Sequence, residues 1–227
     1  MIRALIFDFD GLILDTEGPI FQSWQELYRS YHLDLTLERW ADTIGRSEQE
    51  APFDPKQDLE ERLGRRLDWA MLGLRRRQRE LALIAAQPIL PGVQDYLEQA
   101  RQLHLKIGLA SSSDRGWVSS HLERLGLRGY FDCLRTSEDV RFTKPAPDLF
   151  LAALACLEAT PQEAVVFEDS PNGILAANRA GIFCVAVPNR LTSHLDLDRA
   201  NRRLTAFTDL SLDQLLIEVE KGKAAET

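Results

Sequence analysis

The chain has 227 residues, of which 44% are apolar, 8% aromatic and 27% charged, with 13 glycines and 10 prolines. This is the composition of a folded protein with one large domain, or a medium one carrying an insert, and it excludes disordered, collagen-like and coiled-coil chains. Its 27 lysines and arginines against 35 acids leave a net charge of −8, which opposes general binding to nucleic acid or to an anionic membrane surface.

The first run, Met1-Ile-Arg-Ala-Leu-Ile-Phe-Asp8, meets an acid within ten residues. It therefore does not read as a secretory signal, and no apolar stretch approaches the roughly 20 residues of a spanning helix. A cytoplasmic location, no membrane contact and a monomeric state by default are expected. Ala4-Leu-Ile-Phe7 reads as a buried parallel strand ending at a polar site. From about Gly18 to Gln87 the strand signal gives way to helical spacing, as in Phe21, Trp24, Leu27, Tyr28 and Tyr31. Pro19 punctuates its entry and Pro88, Pro91 and Gly92 its exit. An insert of about 70 residues is too long for a crossover loop. Residues 18–87 are read as a helical cap domain, and 1–17 with 88–227 as the core domain.

Further apolar runs follow at Leu105–Ala110, Asp132–Thr136, Ala164–Phe167 and Ile182–Val187, with a weaker sixth at Leu204–Phe207. Helical patterns alternate with them at Trp117–Leu125, Asp148–Leu157, Ile174–Ala180 and Leu212–Val219. Thr160-Pro161-Gln162-Glu163 and Ser170-Pro171 carry helix-start signals. This alternation predicts an α/β fold: a three-layer, Rossmann-like parallel sheet core with an all-helical cap inserted after the first strand. Cys133, Cys156 and Cys184 sit singly, without CxxC or Cys/His spacing, and are read as buried thiols rather than as a disulfide framework or a zinc site. The tail Lys221–Thr227 is expected to fray.

The chemistry concentrates at the ends of four of these strands. Phe7-Asp8-Phe9-Asp10-Gly11 places two carboxylates two residues apart, so strand alternation would put both on one side of the chain. Leu109-Ala110 runs into Ser111-Ser112-Ser113-Asp114, a hydroxyl cluster at a helix start, where amide N–H groups favour an anion and where Ser113 or Asp114 would cap the helix. Lys144-Pro145-Ala146-Pro147 offers one cation on a stiff loop. Val165-Val166-Phe167 runs into Glu168-Asp169-Ser170, adjacent acids that invite a hard cation with oxygen ligands.

These four segments together resemble the motifs of the haloacid dehalogenase-like hydrolases, in particular the phosphatases and β-phosphoglucomutase-like proteins with a helical cap. They appear as Phe7-Asp8-Phe9-Asp10-Gly11, Leu109-Ala110-Ser111, Lys144-Pro145-Ala146-Pro147-Asp148 and Phe167-Glu168-Asp169-Ser170-Pro171-Asn172-Gly173. The resemblance implies that Asp8 is the nucleophile, forming an aspartyl-phosphate, and that Asp10 is the general acid and base. It implies that Ser111 and Lys144 hold the phosphoryl oxygens. It also implies a Mg²⁺ site made by Asp8, Asp169 and Asp10, the last through its backbone carbonyl, with Glu168 close behind. Members that cleave carbon–halogen bonds lack an acid two residues after the nucleophile, so Asp10 points to phosphotransfer.

The resemblance is looser in the cap. β-Phosphoglucomutases carry a histidine soon after the first motif and a Gly-x-Ser-Arg loop; the corresponding positions look like Ile20 and Glu48, and Ile44-Gly45-Arg46-Ser47 has its arginine and serine in swapped order. Both departures favour a Mg²⁺-dependent phosphomonoester hydrolase acting on a small, sugar-like phosphorylated metabolite, with a phosphosugar mutase as the alternative. Glu17, Arg46 and Ser112 are the candidate substrate-binding residues. Seven arginines against four acids over residues 60–80 read as a solvated face with i,i+4 pairs such as Glu61–Arg65. Trp24, Trp40, Trp69, Phe21 and Tyr28 read as cap core, and Trp117, close behind Ser113-Asp114, is a similar case. His32, His104, His121 and His194 lie outside the motifs and are given no role.

Overall fold

A computed structural model describes residues 1–41, 44 and 52–225. Six strands, β1 Ala4–Phe7, β2 Lys106–Ala110, β3 Cys133–Arg135, β4 Ala164–Glu168, β5 Phe183–Ala186 and β6 Arg202–Arg203, form one sheet in the order β3-β2-β1-β4-β5-β6. Every neighbouring pair is parallel; Phe7 lies opposite Leu109 on one side and Phe167 on the other. β1 is thus central and buried along its whole length, which explains its unbroken apolar sequence. The sheet order turns at β1, and the crevice above the carboxyl ends of β1, β2 and β4 is where such a fold gathers polar loops.

The insert after β1 is helical throughout its described residues: α1 Glu17–Ser30, α2 Leu37–Trp40, α3 Pro55–Leu63 and α4 Trp69–Ala85. Pro19 falls in the first turn of α1, where its missing N–H leaves no bond unmade. Phe21, Trp24, Tyr28, Leu35, Trp40, Ile44 and Leu59 form a hydrophobic cluster of their own, as the sequence anticipates for a cap. The two connecting segments meet at its base: Leu14 bridges Ile89 antiparallel, and Leu90 N–H donates to Ile13 O at 2.9 Å. The arginines differ from expectation. α3 ends at Leu63, and Gly64 takes a left-handed φ of 66°, so Arg65 lies beyond the helix and Glu61–Arg65 is no helical pair. The i,i+4 pairs are Arg62–Asp58 and Arg76–Glu80, and both acids are buried.

Period-two alternation sorts the strands between two layers. Leu5, Phe7, Leu109, Val165 and Phe167 pack with α5 Val93–Gln102, α6 Arg115–Arg124 and α9 Leu212–Ala225. Ala4, Ile6, Ala110, Val166 and Ala186 pack with α7 Asp148–Leu157 and α8 Pro171–Arg179. Each fully buried Leu, Ile or Phe contributes about 1.5–3 kcal/mol, so a one-residue register slip that exchanged the faces would be prohibitive. Four readings need correction. The sixth strand is Arg202–Arg203 rather than Leu204–Phe207; Leu204 and Phe207 instead fill the core beside β1. The capping box at Thr160 forms but opens only a single 3₁₀ turn, Pro161–Glu163, before β4 begins. Cys133 and Cys156 form a disulfide and Cys156 is exposed, so only Cys184 is a free buried thiol. β3 and α7 pack side by side, which a sequence separation of 23 does not reveal. Finally, α9 remains helical to Ala225 instead of fraying at Lys221. No helix among the described residues is long and apolar enough to cross a membrane.

Candidate active site

β1 ends at Phe7, and the Asp8 N–H extends the ladder by donating to Phe167 O at 3.0 Å. The chain then turns: Gly11 N–H donates to Leu14 O at 2.8 Å with Gly11 at φ 85°. A Cβ on Gly11 would lie 2.4 Å from Asp169 Oδ2 and 2.7 Å from Asn189 Nδ2, so only glycine lets the turn pass this close to the second acidic strand end. Because the strand stops at Phe7, its alternation does not carry through to Asp10, and the two carboxylates acquire different surroundings.

Asp8 faces the sheet interior beside Lys144. The Lys144 ammonium is 1% exposed and donates to Asp8 Oδ1, to Glu168 Oε1 at 2.6 Å and to Ala110 O at 2.8 Å, which uses its three protons. Glu168 is equally buried: Oε2 accepts from Asp169 N–H at 3.0 Å, Ser170 N–H at 3.2 Å and Ser170 Oγ at 3.1 Å. Asp169 Oδ2 accepts from Asn189 Nδ2 at 2.7 Å, and the same amide donates to Gly11 O at 2.9 Å. Ser170 caps α8 with Pro171 at its first position, and Gly173 behind it leaves room for the Glu168 carboxylate, which a Cβ there would meet at 1.8 Å.

Asp8, Glu168 and Asp169 bring carboxylate oxygens within 4.8 Å of one another, all buried, with Lys144 the cation held among them. Burial pushes the Asp8 carboxyl up to about 8, Glu168 and Asp10 adding to the rise and Lys144 opposing it. Burial raises Asp169 as well, with Glu168, Asp8 and Glu17 contributing. Burial alone would depress the Lys144 ammonium, but the Asp8 and Glu168 carboxylates outweigh it and hold it above its ordinary value. Three carboxyl groups around one ammonium make a space of hard oxygen donors, and ionising all three there would leave an excess of negative charge. That fits a divalent cation held by Asp8 and Asp169, with Glu168, whose oxygens already accept from Lys144, Asp169 and Ser170, behind them.

Asp10 is placed otherwise. Its Oδ1 accepts from Thr16 Oγ1 at 2.7 Å and Trp117 Nε1 at 2.8 Å; its Oδ2 accepts from Ser113 Oγ at 2.7 Å and Ser111 Oγ at 3.2 Å. Asp114, not Ser113, caps α6 by accepting from Trp117 N–H at 2.7 Å, which leaves the Ser113 hydroxyl to Asp10. The Asp10 carboxylate is therefore not one of the metal-holding group. Of the remaining candidates, Ser112 is buried beside Ser111, Glu17 lies at the start of α1 near enough to Asp169 to raise it, and Arg46 lies outside the described residues. Sequence reasoning missed Thr16, Asn189 and the Trp117 donor. Asn189 follows the β5 run with no charge to mark it, and Trp117 looks like any apolar residue of α6. His121, given no role, packs edge-on against Trp117 at 4.5 Å.

Two carboxylates in contrasting surroundings, one beside a buried lysine and acidic partners and one among hydroxyl and indole donors, suit a divided chemistry of nucleophile and proton carrier. Comparisons with known proteins give the family. The sequence model of the haloacid dehalogenase-like hydrolases matches residues 5–187. YhcW of Bacillus subtilis, described as a candidate phosphatase, is 44% identical over 95% of this chain and 97% of its own. A phosphorylated carbohydrates phosphatase of Thermotoga maritima is 31% identical over 80% of this chain and 82% of its own. Among solved structures, β-phosphoglucomutase from Clostridium difficile superposes with a TM-score of 0.78 at 25% identity, covering 99% of this chain and all of that one.

Proposed function

The chain belongs to the haloacid dehalogenase-like hydrolases, and from that premise we propose that it is a Mg²⁺-dependent phosphomonoester hydrolase of small, sugar-like phosphates working through an aspartyl-phosphate. That it is a phosphatase follows the relatives, of which YhcW covers 95% of the chain; the carbohydrate phosphatase among them supports the substrate class. The observation that carries the reading is the separation of the two aspartates: Asp8 against Lys144 among buried acids, Asp10 among four donors.

In this reading Asp8 attacks phosphorus and expels the substrate alkoxide, while Asp10 gives that oxygen its proton. Asp10 then takes a proton from the water that attacks the aspartyl-phosphate, releasing phosphate and restoring both groups. Ser111 Oγ and the backbone N–H groups at the start of α6 hold phosphoryl oxygens. Lys144, whose protons are engaged by Asp8, Glu168 and Ala110 O, acts through its charge. When bound by Asp8, Asp169 and the Asp10 carbonyl, Mg²⁺ would offset the repulsion between these carboxylates and the phosphate dianion. Residues 18–87 act as a cap that closes over the substrate on the core of 1–17 and 88–227, with Glu17, Ser112 and Arg46 as candidate contacts.

Against the mutase alternative, Ile20 stands where that branch carries its histidine. It packs against the core cluster and against the cap cluster, and it has no donor to offer Asp10. The test is a panel of hexose, hexitol and pentose phosphates, with and without Mg²⁺, assayed for inorganic phosphate and for isomerised sugar phosphate. Mg²⁺-dependent phosphate release is expected; isomerisation without release would replace the hydrolase with the mutase.

A further inference from the structure

Two features near Asp10 are unused by the reading above. One is the indole of Trp117, at the third position of α6; the other is the cap helix α4, which reaches it. Arg77 of α4 lays its guanidinium over the Trp117 ring at 4.9 Å. That guanidinium is itself paired with Glu80, which is 1% exposed inside the cap and also takes Arg76. Arg76 in turn donates to Ser23 Oγ at 3.0 Å and stacks on Trp24 at 4.3 Å. Trp117 also meets the His121 ring edge-on, and His121 stacks on Phe9 at 6.2 Å. The indole is thus clamped between cap and core with its Nε1 aimed at Asp10 Oδ1.

The donors on Asp10 are not equivalent. Thr16, Ser111 and Ser113 present hydroxyls, which can turn and accept; an indole N–H can only donate. While Trp117 holds Oδ1, that oxygen must remain an acceptor, so a proton on Asp10 belongs on Oδ2, where Ser111 and Ser113 can rotate to accommodate it. Oδ2 is also the oxygen on the side of Ser111.

We propose that Trp117 is a positioning residue which fixes the proton-carrying oxygen of Asp10, and that Arg77 from the cap helix holds Trp117 in place. This rests on the assignment of Asp10 as general acid. In the balanced step, the proton on Oδ2 passes to the departing oxygen as its bond to phosphorus breaks, and Oδ2 later recovers a proton from the attacking water. Trp117 donates to Oδ1 throughout and neither gains nor loses a proton. Because Glu80 ties Arg77 to the cap interior, the acid's orientation depends on the seating of the cap.

The measurement is kcat/KM for an alkyl phosphate and for p-nitrophenyl phosphate, in wild type, Trp117→Phe, Arg77→Ala, the double variant and Asp10→Ala. An alkoxide must be protonated as it leaves, whereas nitrophenolate need not be. Trp117→Phe keeps the ring but loses the donor. It is expected to lose about thirtyfold on the alkyl phosphate, carried by kcat rather than KM, and to lose roughly tenfold less than that on the aryl phosphate. Arg77→Ala should show the same discrimination more weakly, with the double variant no worse than Trp117→Phe. Equal losses on both substrates, or a gain on the alkyl phosphate, would overturn the proposal. Should Trp117→Phe fail to give a cooperative melt, Arg77→Ala, a half-exposed side chain, decides by the same criterion. If Asp10→Ala discriminates and Trp117→Phe does not, the proposal fails alone; if Asp10→Ala does not discriminate, the general-acid assignment fails and takes the proposal with it.

Discussion

Asp8 is surrounded by groups that leave little freedom in what it can do. Its carboxylate is buried, touches the Lys144 ammonium and lies within 4.8 Å of Glu168 and Asp169 oxygens. Asp8→Asn keeps the shape and removes the nucleophile, so kcat should fall by at least about a thousandfold, with phosphate-release kinetics as the check. Gly173 makes a sharper structural demand. A methyl group there would overlap the Glu168 carboxylate that orients Lys144, so Gly173→Ala should cost roughly 3 kcal/mol or more in a denaturant melt, besides activity. The acids were legible in the sequence because an apolar run that turns abruptly acidic is conspicuous, whereas Lys144, one cation on a proline-fixed loop, stood out only through its place in the order of the four segments. Asn189, Thr16 and the Trp117 donor were not legible, since a neutral side chain in a loop or on a helix announces its partner only once the chain has folded.

Among the elements, the first five strands and the helices α6, α7, α8 and α9 follow the sequence, because burial on both faces forces continuous apolar runs and the helices carry a regular period, whereas α5 Val93–Gln102 was not anticipated. The failures share a cause. β6 is two exposed arginines on the sheet edge, where no apolar run is needed, while the apolar residues after it serve the core. The box at Thr160 is a sound start signal, but β4 begins before a helix can extend. The Cys133–Cys156 link joins β3 to α7, a contact set by the sheet layer and not by spacing. A thiol titration of the unreduced, denatured protein should therefore count one free thiol, Cys184, rising to three after reduction; three without reductant would refute the link.

For the molecule as a whole, the buried acids set a dependence on pH and metal. The native state holds a proton on Asp8 up to about pH 8, against an ordinary value of 3.8, so the native state binds that proton more tightly than the unfolded chain does. Stability is then lost as pH rises from about 4 to about 8, and the raised Asp169 adds in the same direction. The metal-free protein should melt progressively lower across that window. Mg²⁺ should flatten the trend: at a hundredfold excess over Kd it adds about 2.7 kcal/mol, a rise of roughly 5–10 °C for a chain of this size. Asp169→Ala should lose that rise, as differential scanning would show.

The central claim is that phosphate passes through Asp8. The measurement that tests it most directly is an acid quench of the Asp10→Ala enzyme, in which attack of water is slowed, mixed with Mg²⁺ and p-nitrophenyl phosphate and followed by peptide mass analysis. The account predicts a phosphoryl group on the peptide containing Asp8, absent when Asp8 is changed to Asn. Turnover of the substrate with that peptide unmodified at every quench time, or the group found on another residue, would contradict it.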